Sequence, residues 1–121
     1  MKALEDLGLT ENTLVVFASD NGPVLGINGG DAGPFRDGKW TDFEGGIRVP
    51  MIATWPGKIE SGSATEHQSA FYDVLPTLCE IIGATPPDDI DGISFLPTLV
   101  GDEQRSHDFL YWEFPSYGGQ Q

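Results

Sequence analysis

The sequence predicts an α/β fold, and three observations near its start carry that prediction. Residues 2–7 place Ala3, Leu4 and Leu7 at helical spacing, with Gly8 positioned to end the helix. Residues 13–19 (TLVVFAS) form a short, β-branched-rich run that is apolar on both faces, the pattern of a strand covered on both sides. Only a short loop separates the two. Helix, loop and two-sided apolar strand is the rhythm of α/β architecture.

The following elements extend this pattern. Eight of the 25 residues from 22 to 46 are glycine, half of the chain's sixteen, so this stretch predicts a long irregular loop. Loops of that length inside a compact domain are usually functional or disordered. Phe35, Trp40 and Phe43 argue against disorder, which is poor in aromatics. Residues 47–55 (IRVPMIATW) predict a second strand, and Pro50 assigns it an edge or a bulge because proline cannot donate to a ladder. Residues 56–66 are a polar turn or hairpin. Residues 73–83 (DVLPTLCEIIG) predict a helix. Asp73 can cap it, Pro76 is tolerated in its first turn, and Gly83 stops it. Leu75, Leu78, Ile81 and Ile82 form its apolar stripe. Residues 84–92 read as a loop, 94–101 (SFLPTLVG) as a short capped helical turn, and 109–114 (FLYWEF) as a late strand. No internal repeat is present.

Composition narrows the partners. The chain has 121 residues, the size of one domain or a piece of one, and 39% hydrophobic content suffices for a core. Six basic residues against nineteen acidic ones give a formal charge of −13, which excludes the clustered Lys/Arg that nucleic acid or an anionic membrane surface requires. The single cysteine, Cys79, rules out an intrachain disulfide. The longest strictly apolar run, Leu14 to Ala18, is far short of a membrane span. The first twelve residues lack a signal-peptide core and look like the tail of a helix, which raises the expectation of a fragment.

Chemistry concentrates in two places. Asp20 and Asn21, in SDNGP after the first strand, stand where α/β sheets place ligand-binding groups. Their oxygens suit a hard cation such as Ca²⁺ or Mg²⁺, and Gly22-Pro23 would turn the backbone away. The competing reading is an Asx-turn, in which Asp or Asn bonds its own backbone. Lys39, in GKWTDFEGGIRVP, offers a point charge for a sulfate or phosphate oxygen, against the commoner fate of a solvated lysine. Glu44 and Arg48, four apart, read as a structural ion pair, and Gly45-Gly46 as a place where a Cβ would be barred. His67 and His107 are isolated and read as surface or capping residues. Cys79 reads as a small core residue, and Asp88, Asp89 and Asp91 as a solvated acidic turn.

Taken in order, TLVVFASDNGP, RDGKWTDFEGGIRVPMIATWPGKI, DVLPTLCEIIGA and DGISFLPTLVG resemble the later half of the catalytic domain of type I sulfatases, the arylsulfatase family within the alkaline phosphatase superfamily. The resemblance implies a partial mixed sheet flanked by helices, with residues 109–121 entering a C-terminal subdomain. It implies hydrolysis of a sulfate ester through a formylglycine nucleophile, with Ca²⁺ polarising the sulfate oxygens. By the same resemblance Asp20 and Asn21 are metal ligands and Lys39 contacts the sulfate, while Glu44, Gly45, Gly46 and Arg48 are scaffolding. The compartment implied is periplasmic, secreted or lysosomal-type. The chain has no Cys/Ser-x-Pro-x-Arg nucleophile motif. The expectation is therefore a fragment that holds part of the calcium and sulfate site, is inactive alone and leaves that calcium site unfilled. Two alternatives stand beside it: a non-catalytic module that self-associates through exposed edges, and a fragment of a phosphatase or phosphonate hydrolase of the same superfamily.

Overall fold

The structure, a computed structural model, describes residues 1–26 and 29–114. Its elements are helix α1 (Lys2–Asp6), strand β1 (Val15–Ala18), helical turn α2 (Glu44–Ile47), strand β2 (Met51–Thr54), helix α3 (Val74–Ile82) and helix α4 (Leu96–Val100); α2 is the one of these that the sequence did not predict. β1 and β2 pair in a two-stranded sheet. Left-handed glycines end three of the helices: Gly8 after α1 at φ +67°, Gly83 after α3 at +69° and Gly101 after α4 at +84°. No helix among the described residues is long and apolar enough to cross a membrane.

The chain divides into two compact units. The first comprises Met1–Val15 and Ala53–Leu110, and its interior is organised by polar groups around α3. Asp73, 1% exposed, accepts hydrogen bonds from the Ala70 amide (2.7 Å) and the Ile93 amide (2.8 Å). Its Oδ1 also lies 2.8 Å from His107 Nε2. Thr77, one turn on, donates to the Asp73 carbonyl at 2.7 Å and accepts from the Phe95 amide at 3.0 Å. Phe95 is the buried apolar side chain among the described residues. Trp55 ties its segment to the N-terminus by donating its indole N–H to the Glu11 carbonyl at 2.9 Å.

The second unit comprises Val16–Ile52 and the residues from Tyr111 onward. Its long loop is irregular yet fastened. The Gly22 amide donates to the Gly46 carbonyl (2.8 Å), the Lys39 amide to the Pro23 carbonyl (2.8 Å) and the Gly45 amide to the Arg36 carbonyl (2.8 Å).

Several expectations are corrected. The strand expected over 47–55 is confined to Met51–Thr54, because amides of Gly46 and Ile47 turn back to the Phe43 carbonyl and wrap this stretch into α2. β1 is not covered on both faces: Phe17 is 71% exposed. The apolar stripe of α3 likewise faces outward at Leu75, Leu78 and Ile82, while Pro76 and Thr77 are the buried residues. Asp73 does not cap α3 with its side chain, since its carboxylate is committed to Ala70, Ile93 and His107. His107 is not a surface residue, its side chain being 11% exposed. Residues 109–113 form no strand, and Phe114 makes a single bridge. The remainder of the expected subdomain entry, residues 115–121, lies outside the described residues.

Candidate active-site cleft

The second unit contains an open cleft of about 730 Å³ whose lining includes Ser19, Asn21, Asp31, Phe35, Lys39 and Arg48. Two of the three sequence-predicted site residues, Asn21 and Lys39, therefore meet at one cavity although eighteen positions separate them. Asp20 is exposed and lies outside this lining.

Backbone chemistry explains the meeting. The SDNG segment leaves β1 and its Gly22 amide bonds Gly46. A Cβ on Gly22 would collide with the Gly45 carbonyl oxygen, and a Cβ on Gly45 with the carbonyl oxygens of Asp37 and Arg36. Glycine at both positions is what lets the three backbone segments touch. The same contacts seat Lys39, whose amide is held by Pro23, two residues from Asn21. The Thr41 hydroxyl closes the turn by donating to the Gly38 carbonyl at 2.9 Å.

Asn21 is half-buried, and its Nδ2 donates to the Gly22 carbonyl at 2.9 Å, while its Oδ1 accepts no hydrogen bond among the described residues. Ser19 donates its hydroxyl to the Asn21 carbonyl at 2.7 Å. The Asp20 carboxylate accepts no hydrogen bond among the described residues. Neither side-chain oxygen accepts the backbone bond of an Asx-turn, so among the described residues one carboxylate and one carboxamide oxygen stay uncommitted. Those donors fit a hard cation by type, but two side chains fall short of the six to eight oxygens that Ca²⁺ takes. Among the described residues no group of three His, Cys, Asp or Glu side chains is arranged to hold a metal.

Lys39 and Arg48 line the cleft, and Arg36 lies outside that lining. The Arg48 guanidinium pairs with Glu44 at 3.0 Å, as the spacing predicts, and sits 4.3 Å from the Phe35 ring centroid. Arg36 lies 3.5 Å over the Phe43 ring. Lys39 Nζ stands 5.8 Å from the Trp40 ring centroid and makes no ion pair among the described residues. Cys79 is a half-buried free thiol of α3, in the other unit. That first unit also has a smaller cleft, about 270 Å³, where Glu66, His67, His107 and Asp108 meet. The Asp73–His107 pair behind it escapes sequence reasoning, because the partners lie 34 residues apart with no local signal to join them.

A strand ending in SDNG, pinned through glycines to GK and EGG with a lysine and an asparagine on one cleft, defines a class of protein. The sulfatase family model matches residues 1–84, and the chain belongs to that family. Among individual relatives, the chain is 40% identical over 117 residues to N-acetylgalactosamine-6-sulfatase of Canis lupus familiaris, matching 93% of this chain and 22% of the relative. It is 43% identical over 120 residues to human (Homo sapiens) arylsulfatase A, at 97% and 23% coverage. The crystal structure of PsFucS1 sulfatase from Pseudoalteromonas sp. superposes with a TM-score of 0.75 at 35% identity, over 87% of this chain and 22% of that one. The fold is thus a portion of the sulfatase fold, and the chain spans about a fifth of the length of the curated relatives it matches.

Proposed function

We propose that this chain supplies part of the active centre of a sulfuric ester hydrolase. Asp20 and Asn21 are calcium ligands in this reading, and Lys39 contacts the transferred sulfate. The observation that carries it is the shared cleft of Asn21 and Lys39, held by the Gly22–Gly46 hydrogen bond. Bound calcium would supply charge that polarises sulfate oxygens. Asp20 and Asn21 would orient that cation through their uncommitted oxygens, and the Lys39 ammonium would offset negative charge on the sulfuryl group. The sulfate ester is bound here but not attacked, since no residue of the chain lies in a Cys/Ser-x-Pro-x-Arg motif. The phosphatase and phosphonate-hydrolase alternative gains no support from the relatives found.

The experiment is an NMR titration of the 121-residue chain with 4-nitrophenyl sulfate and with Ca²⁺. Binding of the sulfate ester that disappears in Lys39→Met supports the reading; binding indifferent to that substitution overturns it. Calcium is expected to bind at millimolar concentration or weaker, with shifts centred on Asp20 and Asn21. An aryl sulfate assay is expected to show no turnover, and turnover abolished by Asp20→Ala would refute the assignment of the nucleophile to other residues.

A further inference from the structure

The two non-glycine residues with positive φ among the described residues bracket Lys39: Asp37 at +58° and Trp40 at +75°. Aspartate visits this region with some ease, but for a bulky side chain it is an outlier that costs about 1–2 kcal/mol. Such strain persists only where surrounding structure enforces it, and it gathers at functional sites. Here the enforcement is visible: the Lys39 amide is bonded to Pro23, the Gly38 carbonyl to Thr41 and the Gly45 amide to Arg36. A glycine or asparagine at position 40 would satisfy the same backbone without strain.

Packing does not account for the tryptophan either. Trp40 is 51% exposed. Its one aromatic or cationic neighbour among the described residues is the Lys39 ammonium, 5.8 Å from the ring centroid and near the outer limit of a cation–π contact. Its indole N–H has no hydrogen-bond partner among those residues. A large flat apolar surface, in a strained backbone beside a lysine that makes no ion pair among the described residues, is suited to a ligand rather than to a core.

The geometry points to Trp40, outside the cleft lining but beside the Lys39 ammonium that belongs to it, as a specificity-determining residue: an aromatic platform that receives the ring carrying the sulfate, sugar or aryl, while Lys39 takes the sulfate itself. This rests on the assignment of Lys39 to sulfate binding. It adds that the site prefers sulfates of rings to inorganic sulfate and to open-chain alkyl sulfates. The shared requirement is an apolar ring face, which pyranoses and phenyl rings both present.

The test compares four probes on the 121-residue chain by NMR and by tryptophan fluorescence: inorganic sulfate, methyl sulfate, 4-nitrophenyl sulfate and a monosaccharide 6-sulfate. At least one ring sulfate is expected to bind tenfold or more tightly than methyl sulfate, with a shift of the Trp40 indole signal. Trp40→Gly, which relieves the backbone strain and should fold, is expected to abolish that preference while leaving methyl sulfate affinity within twofold. Trp40→Phe is expected to restore most of it. Ring sulfates that bind no better than methyl sulfate, or a preference that survives Trp40→Gly, would overturn the platform while leaving Lys39 in its role. Lys39→Met is expected to weaken all four probes alike. If it weakens none, or if no probe binds, the sulfate assignment and the platform both fall.

Discussion

At the scale of single residues, the cleft depends on atoms that are missing. Gly45 packs so closely that a methyl group there meets two carbonyl oxygens, the Arg36 oxygen at 2.6 Å being the farther. Both are backbone atoms and cannot rotate away. Gly45→Ala is therefore expected to destabilise the chain by about 3 kcal/mol, the upper range for overpacking. A urea midpoint unchanged within error would contradict this. The doublet Gly45-Gly46 advertised such an approach in the sequence, and SDNG with GK…EGG advertised oxygen donors and a charge. The left-handed backbone at Trp40 was not legible, because nothing local prefers it; hydrogen bonds from the Lys39 and Gly45 amides to the Pro23 and Arg36 carbonyls impose it on the turn.

At the scale of elements, the positions of α1, α3 and α4 were legible from periodicity and glycine stops, whereas α2 and burial were not. Periodicity reports which face of α3 is apolar, not what covers it, and here the residues buried within the unit are Pro76 and Thr77. The turn before α3 is the more informative piece. Tyr72 packs its ring edge-on against His107, with centroids 5.6 Å apart. Burial first, then the nearby Asp73 and Asp91 carboxylates, raise its phenol above the ordinary value of 10.0. The folded chain thus holds the Tyr72 proton more tightly than the unfolded chain does. The resulting stability is fully present below pH 10 and is lost as pH rises through the raised value. Denaturation midpoints are expected to fall as pH rises above 10, and Tyr72→Phe to flatten that decline. A wild-type and variant difference that stays constant across this range would rule the effect out.

At the scale of the whole molecule, apolar surface outweighs apolar interior. Phe17, Ile52, Leu75, Leu78, Ile82 and Phe109 are each at least 47% exposed, against the one buried core residue Phe95 among the described residues. Soluble monomers rarely leave such surface bare. In relatives about four to five times as long, there is more chain available to cover it. The 121-residue chain by itself is expected to self-associate, with a light-scattering mass above 13.1 kDa that rises with concentration. A mass that remains monomeric at all concentrations would exclude this.

The hydrogen bonds from Gly22, Lys39 and Gly45 carry a dynamic consequence. A glycine-rich loop would ordinarily exchange its amide protons quickly. These three tie one another's segments together, so they are expected to open as a set, with similar amide-exchange protection. The groups assigned to calcium and the group assigned to sulfate therefore sit in a single cooperative unit. Loosening one side of the cleft, by mutation or by heat, releases the other, and the two halves of the site share a common lifetime.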